Sequence, residues 1–338
     1  MVYLFPLFMI KITQKNENVA TRPFAQKKRW TLFALKFVFS ISILVLLLLY
    51  KTSVKDILSV LARVNPFWLA VSFSLQAIGL LISAYRWQIL ARAQGDVIPL
   101  GFLAKSYLVG IFCSNFLPSS FGGDIVRIWD GSKYSTSLVK SSAIVVVERI
   151  TGIIVLFVFA FLASLFRLDM AQGIPVIWVS LVIGFLGMSL IVLFLLPIFG
   201  RLLQRTPDKG FPGRAKQKIT AFRDTILGYK KNKAPFLKAT FWAFLLQVNV
   251  VVYYFLIGKA LQLRIHLLDY FIIIPIVLLV QIIPITINGL GLREGAYIEI
   301  FKFYGIPSQT AFSFSIIDVA FRLVTGAVGG IIFVLRKK

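Results

Sequence analysis

Two stretches of the sequence combine charged side chains with glycine and proline between strongly apolar runs. They cover residues 115–127 and 284–295 and contain Asn115, Gly122, Gly123, Asp124 and Arg127 in the first, and Asn288, Gly289, Gly291, Arg293 and Glu294 in the second. Because glycine and proline weaken a helix, backbone amides and carbonyls are freed at both points. Free amides beside forked arginine donors are typical of a site that binds phosphate oxygens.

Four further charged residues lie within apolar runs, namely Glu148, Arg149, Asp318 and Arg322. A charge inside the bilayer is costly, so such residues usually pair or face water. Asp318 and Arg322 are four residues apart and can bridge on one helix face. Adjacent Glu148 and Arg149 need partners elsewhere. The acids of this set either orient the arginines or titrate with a coupled proton, and a purely structural network stays open as the alternative.

The composition indicates a polytopic membrane protein. The chain has 338 residues, 58% of them hydrophobic, and a mean hydropathy of +0.86. Its apolar runs are about 20 residues long, the length that spans a bilayer. The net charge is +24, and the basic residues flank the apolar runs. This placement favours contact with anionic membrane lipids over binding to nucleic acid.

Metal and thiol chemistry find little support in the sequence. Cys113 is the single cysteine, so no intrachain disulfide forms, and it lies in an apolar run. His266 is the single histidine. With no cluster of histidine and cysteine, we expect no metal site, no cofactor and no catalytic residue of the zinc-hydrolase type.

The apolar segments predict an all-α fold with about eight apolar segments. They cover residues 32–50, 67–85, 99–117, 139–166, 174–199, 236–258, 268–287 and 308–335. Eight simple crossings would export the most basic loop, 200–235. If 99–138 and 268–307 are instead re-entrant helical hairpins, basic residues collect on one side, as membrane insertion favours. We therefore expect six full crossings and two re-entrant hairpins.

This topology divides the chain into two membrane repeats. A basic cytoplasmic segment, 1–31, precedes a first repeat at 32–166 and a second at 167–335. Each repeat contains three crossings, so the repeats would be inverted relative to each other, as in many transporters. Both termini would be cytoplasmic. An apolar stripe in loop 200–235 predicts an amphipathic helix that lies on an anionic leaflet or packs on its own protein.

The motifs resemble those of a known family. They are Asn115-Phe-Leu-Pro followed by Gly122-Gly123-Asp124-x-x-Arg127, then Glu148-Arg149-x-x-Gly152, then Gly289-x-Gly-x-Arg293-Glu294-Gly-Ala. In this order they resemble the lysylphosphatidylglycerol synthase transmembrane-domain family, which is also called flippase-like and is prokaryotic. The resemblance implies an inner-membrane protein that moves or handles a lipid between leaflets. The founding synthases add a soluble aminoacyl-transferring domain; this chain ends at Lys338, so we expect no synthase activity.

Three functional hypotheses follow. The first is a lipid translocator that binds an anionic head group in a cavity between the hairpins. The second is a membrane enzyme that acts on a lipid-linked phosphate or sugar, with Asp124 or Glu148 as base. The third is a scaffold for envelope-building partners, which only the basic loop 200–235 favours. The sequence leaves the lipid, the energy source and the oligomeric state open.

Overall fold

The chain forms a bundle of helices of very different lengths. A computed structural model describes residues 23–116, 122–135, 138–204, 233–283 and 285–336, together with residues 216 and 220. In this part the helices are α1 Pro23–Tyr50, α2 Val54–Leu61, α3 Pro66–Ala93, α4 Leu100–Phe116, α5 Gly122–Ser132, α6 Leu138–Leu165, α7 Val176–Leu195, α8 Pro197–Gln204, α9 Lys233–Ala260, α10 Leu267–Ile282, α11 Leu292–Lys302 and α12 Ser308–Leu335. No strand occurs among these residues, so the prediction of an all-α fold is confirmed.

Five of the described helices are long and apolar enough to cross a bilayer, namely α3, α6, α7, α9 and α12. A sixth span results if residues 35–50 of α1 and helix α2, which meet at an angle of 86°, are counted as one. The two remaining predicted segments, 99–117 and 268–287, form the shorter helices α4 and α10 of 17 and 16 residues. The prediction of eight apolar segments therefore yields five or six spans, and the re-entrant path of α4 and α10 stays a prediction.

The helix lengths repeat along the chain. Helices α1 to α6 contain 28, 8, 28, 17, 11 and 28 residues. Helices α7 to α12 contain 20, 8, 28, 16, 11 and 28 residues in the same order. Each half thus has a pair of short helices, α4–α5 or α10–α11, followed by a closing helix, α6 or α12.

Helices of one half pack on helices of the other half. Helix α3 packs along its counterpart α9, α4 packs on the closing helix α12, and α10 packs on the closing helix α6. Within each half, α5 contacts α4 and α6, and α11 contacts α10 and α12. The first helices differ, because α1 packs on α11, whereas α7 packs on α6 and α10.

Glycines allow the short helices to approach their neighbours closely. A Cβ atom at Gly123 would lie 2.5 Å from the carbonyl oxygen of Gly110, so α5 could not pack on α4 with a larger residue there. A Cβ atom at Gly329 in α12 would collide with the carbonyl of Leu108 in α4. We call the interruption between α4 and α5 the first break, and the one between α10 and α11 the second break. The glycine contacts fix the first break against α12, the closing helix of the other half.

An arginine beyond the end of each closing helix binds an acid of the other half. Arg167 follows α6 and donates two hydrogen bonds of 2.8 Å to Asp269 at the start of α10. Arg336 follows α12 and donates a bond of 2.5 Å to Asp130 in α5. Because both acids are buried, these pairs hold the halves together at their ends.

Candidate functional site: two charged clusters beside the helix breaks

The first charged cluster forms where α5 begins, after the first break. Ser114, near the end of α4, accepts a hydrogen bond of 2.9 Å from the amide of Gly123. This bond places Asp124 and Arg127, which lie three residues apart in α5, against the closing helix α6. We define the first cluster as Arg86, Asp124, Arg127, Glu148 and Arg149.

Arg127 lies at the centre of the first cluster. Its guanidinium group donates to Glu148 and, at 3.4 Å, to Asp124. The same group lies over two aromatic rings, 3.8 Å from the ring centre of Tyr107 and 4.6 Å from that of Trp87. A desolvated guanidinium over aromatic faces gains cation–π attraction. Its Nε atom is nevertheless buried without a hydrogen-bond partner in the described part of the chain.

Two more hydrogen bonds occupy the remaining carboxylate oxygens of this cluster. The Tyr107 hydroxyl donates a bond of 2.7 Å to Glu148, and Arg149 donates to the second oxygen of Asp124. The Arg149 side chain is 38% exposed, so the cluster reaches the surface at this residue.

Arg86 adds a third arginine, although the sequence alone gave no reason to select it. It is buried in α3 and donates to the carbonyl oxygens of Ala239 and Glu148, at 3.3 and 3.1 Å, and to the Thr151 hydroxyl at 2.8 Å. The structure describes no ion pair between Arg86 and a carboxylate. The first cluster therefore contains three arginines and only two acids.

The second charged cluster forms in the same way where α11 begins, and consists of Arg293, Glu294, Asp318 and Arg322. The Arg293 side chain is only 3% exposed. It donates to Glu294 at 2.6 and 3.1 Å, to the Ser315 hydroxyl at 2.8 Å and to Asp318 at 3.0 Å. Every nitrogen of this guanidinium group thus has an acceptor.

Asp318 in α12 connects the remaining members of the second cluster. It accepts a bond of 2.7 Å from Arg322 and one of 2.9 Å from the Tyr253 hydroxyl. Glu294 accepts from the Ser315 hydroxyl at 2.7 Å and from the amide of Gly291 at 2.6 Å. With two arginines and two acids, this cluster is neutral by formal charge.

Side chains join the two breaks directly. Asn288 donates a bond of 2.5 Å to the carbonyl oxygen of Ser114, and Asn115 donates one of 3.4 Å to the carbonyl oxygen of Arg322. Asn288 and Gly289 have φ values of 50° and 75°, a backbone region that asparagine and glycine tolerate. The tip residues 117–121 and Pro284 lie outside the described residues.

Helix α1 covers the second break. The hydroxyl of Ser40 accepts a bond of 3.0 Å from the amide of Ile287, and a Cβ atom at Gly291 would lie 2.9 Å from Ile43. Lys51 at the end of α1 also bonds Glu299 in α11 at 3.1 Å. The sequence did not predict this contact, since nothing in an apolar span indicates which break it packs on.

The structure therefore arranges the predicted site residues differently from the expectation. The pairing of Asp318 with Arg322 is confirmed, and Glu148 and Arg149 find partners in α5, as their adjacency required. The prediction of free amides at the glycines is wrong at Gly123 and Gly291, because buried amides need acceptors and Ser114 and Glu294 supply them. Buried Gly122 and Gly289 lie beside them.

The arginines form two clusters, one in each half. Sequence reasoning missed several residues that contribute to the clusters, and their signals in the sequence were weak. Arg86 and Trp87 follow an apolar run, in a helix that continues to Ala93. Tyr107 and Tyr253 are tyrosines inside apolar runs. The predicted amphipathic helix of loop 200–235 lies almost wholly outside the described residues, which include there only the end of α8, residues 216 and 220 and the start of α9.

Comparison with known proteins agrees with this architecture. The family described as the lysylphosphatidylglycerol synthase TM region matches residues 33–330. The chain belongs to this family. The match covers α2 to α11 completely and therefore includes both charged clusters, and with the apolar helices it makes the chain a multi-pass membrane protein.

Relatives are found over most of the chain. A UPF0104 membrane protein of Pyrococcus horikoshii is 23% identical over 322 residues, covering 87% of this chain and 95% of its own length. A UPF0104 membrane protein of Methanothermobacter thermautotrophicus is 22% identical over 308 residues, covering 82% of this chain and 86% of its own length. Their names describe them as membrane proteins, and the family assignment therefore leaves the activity to be argued from the site.

Proposed function

We propose that the protein binds the anionic head group of a membrane lipid at the first cluster and moves that lipid between leaflets. The observation that carries the proposal is the excess of one arginine in this cluster, together with the unpartnered Nε of Arg127. Burying an uncompensated charge is costly, and a bound phosphate would supply the missing negative charge and the missing acceptor.

The occupancy of the donors also favours the first cluster as the binding site, whereas the outermost arginines are similarly exposed, 38% at Arg149 and 31% at Arg322. Arg149 presents its guanidinium at the surface of the cluster, 38% exposed, while Asp124 holds its Nε. In the second cluster the acids already occupy Arg293 completely, and α1 packs over the break. The second cluster then serves as an anchor that fixes α11 against α12.

The contacts of the two acids favour binding over general-base catalysis. Asp124 accepts from Arg127 and Arg149, and Glu148 accepts from Arg127 and Tyr107. A general base must be able to reach the proton that it removes. Because all four of these carboxylate oxygens are already engaged by protein donors, the enzyme alternative has less support.

The proposed path through the membrane is the one predicted from the charge distribution. Helices α4–α5 and α10–α11 would be re-entrant hairpins, the two halves would be inverted, and both termini would be cytoplasmic in an inner membrane. The repeated helix lengths and the exchange of contacts between α4 and α12, and between α10 and α6, support an internal repeat.

Reconstituted protein tests the proposal. The full chain is placed in liposomes with a trace of fluorescent phosphatidylglycerol, and a membrane-impermeant quencher reports movement between leaflets. We expect Arg149→Gln to slow this movement strongly, because it removes the exposed arginine while leaving the buried Arg127–Glu148 pair.

Lys133→Gln is the matched control. Lys133 is half exposed, pairs with Asp130 outside the first cluster and carries the same charge as Arg149. Its substitution should leave the movement of phosphatidylglycerol unchanged. Equal rates for wild type, Arg149→Gln and protein-free liposomes would refute the translocation proposal.

A further inference from the structure

An apolar slot opens between the closing helix of the first half and two helices of the second half. It has a volume of about 240 Å³ and lies between α6, α7 and α9, with walls that include Ile150, Ile154, Leu190, Ile191, Phe194 and Phe236. Apolar cavities of this size stay dry and take up apolar molecules. In a bilayer, the available apolar molecule is a hydrocarbon chain.

The slot adjoins the first cluster at Thr151, which lines the slot and accepts a hydrogen bond from Arg86. Val147, Ile150 and Thr151 line the slot, and they flank Glu148 and Arg149 in helix α6. Buried Arg86 donates to the Thr151 hydroxyl at 2.8 Å and to the Glu148 carbonyl at 3.1 Å. A cationic group and an apolar cavity therefore meet within one turn of α6, about 5.4 Å of rise.

The slot also opens to the surface of the bundle. Leu190 on its α7 wall is 64% exposed, and the neighbouring outward side chains of α7 are apolar. Gly187 forms part of the same wall, where a Cβ atom would collide with the ring of Phe157. A chain could thus enter sideways from the bilayer without crossing polar protein surface.

We infer that this slot binds one acyl chain of the phospholipid whose head group the first cluster holds. The inference rests on the proposed function, because the charged end of the ligand is assigned to that site. The protein would then bind the acyl chain and the head group of one lipid at the same time, and α6 would contribute to both sites.

Photolabelling tests the inference on the full chain in lipid nanodiscs. Phosphatidylglycerol with a diazirine in the middle of one acyl chain is activated by light, and the labelled residues are identified by mass spectrometry. We expect adducts concentrated on the slot residues Ile150, Ile154 and Ile191, above the level found on the outward face of α7. Labelling spread evenly over that face would overturn the inference.

Two filling variants check that the labelled space is the slot. Ile191→Trp and the milder Ile154→Phe should each abolish most of the slot labelling. Leu186→Trp is the matched control, because Leu186 is exposed on α7 and does not line the slot, so slot labelling should persist. Unchanged slot labelling in both filling variants, in protein that remains monodisperse, would also overturn the inference.

A second probe separates the tail site from the head-group site. Phosphatidylcholine with the same diazirine chain should label the slot less than phosphatidylglycerol, and Arg149→Gln should remove the difference. Slot labelling that is equal for both lipids would support the chain site and count against the anionic head-group proposal. Absent slot labelling, combined with slower phosphatidylglycerol movement in Arg149→Gln, would overturn the chain site alone.

Discussion

The charged clusters of the two halves use the same parts but balance them differently. In each cluster, an arginine of the short helix pairs with two acids. One acid is the third residue of the same short helix, and the other lies in the closing helix. The acid of the closing helix also accepts a hydrogen bond from a tyrosine. The second cluster is neutral, and Arg293 has acceptors on every nitrogen. The first contains the additional Arg86, and Arg127 faces aromatic rings and keeps one unpartnered donor.

This difference shows how one repeated plan can serve two purposes. Helix α1 covers the second break, whereas its counterpart α7 packs on α6 and α10 and forms a wall of the apolar slot. In the proposed function, the second cluster, in which Arg293 has acceptors on every nitrogen, contributes rigidity. The first cluster, with its excess positive charge, is the one proposed to bind the ligand. The comparison predicts that the same substitution has different consequences in the two halves.

The largest effect is expected for Arg293→Ala. It leaves buried Glu294 without an ion-pair partner, while Asp318 keeps Arg322, and breaking a buried ion pair in this way costs about 3–5 kcal/mol. We expect most of the protein to be lost as aggregate, or its melting temperature in detergent to fall sharply. Size-exclusion chromatography after heating measures this change, and near wild-type behaviour would contradict an anchoring role for the second cluster.

A smaller loss of stability is expected for Arg127→Ala. Glu148 keeps its bond from Tyr107, Asp124 keeps Arg149, and Arg86 still supplies positive charge nearby. We expect a cost of about 1–3 kcal/mol, typical of losing hydrogen bonds to a charged group. Binding of phosphatidylglycerol, measured by lipid-dependent stabilisation, should fall more than stability does. A melting temperature as low as that of Arg293→Ala would remove the distinction between the clusters.

The two tyrosines allow a symmetrical test. Tyr107→Phe and Tyr253→Phe each delete one hydrogen bond to a closing-helix acid, at 2.7 and 2.9 Å in the native protein. Each should reduce stability by about 1.5 kcal/mol, since the arginine partners remain. Added phosphatidylglycerol should restore the Tyr253→Phe protein more than the Tyr107→Phe protein, because bound ligand stabilises the whole folded chain according to its affinity, and only Tyr107→Phe alters the binding cluster. Equal restoration would argue against a single binding cluster.

The smallest effect is expected at the contact between the breaks. Asn288→Ala removes the bond to the Ser114 carbonyl, with an expected cost of about 1 kcal/mol. Asn288→Asp should cost more, because it places a carboxylate against that carbonyl oxygen. Thermal unfolding in detergent ranks the two variants, and the reverse order would show that this contact does not join the breaks.

Much of the fold followed from the sequence. The eight apolar runs coincide closely with eight of the helices, since lengths of apolar sequence and the positions of glycine and proline are local properties. Apart from Arg86, the charged residues that form the two clusters were also singled out from the sequence, because charges are rare in apolar runs and need a reason. The helix lengths that mark the repeat became measurable only once the helix ends were placed.

Only the tertiary structure decided how these residues are paired. Arg86 lies after an apolar run and joins the first cluster because α3 continues to Ala93 and packs along α9. The glycine amides at Gly123 and Gly291 are occupied by Ser114 and Glu294, an outcome that depends on side-chain reach in the folded chain. The sequence by itself determined a helical membrane protein with charges at two breaks. Packing between helices distant in sequence decided which cluster is saturated and which retains an unmatched arginine, because charge balance is set by neighbours in space.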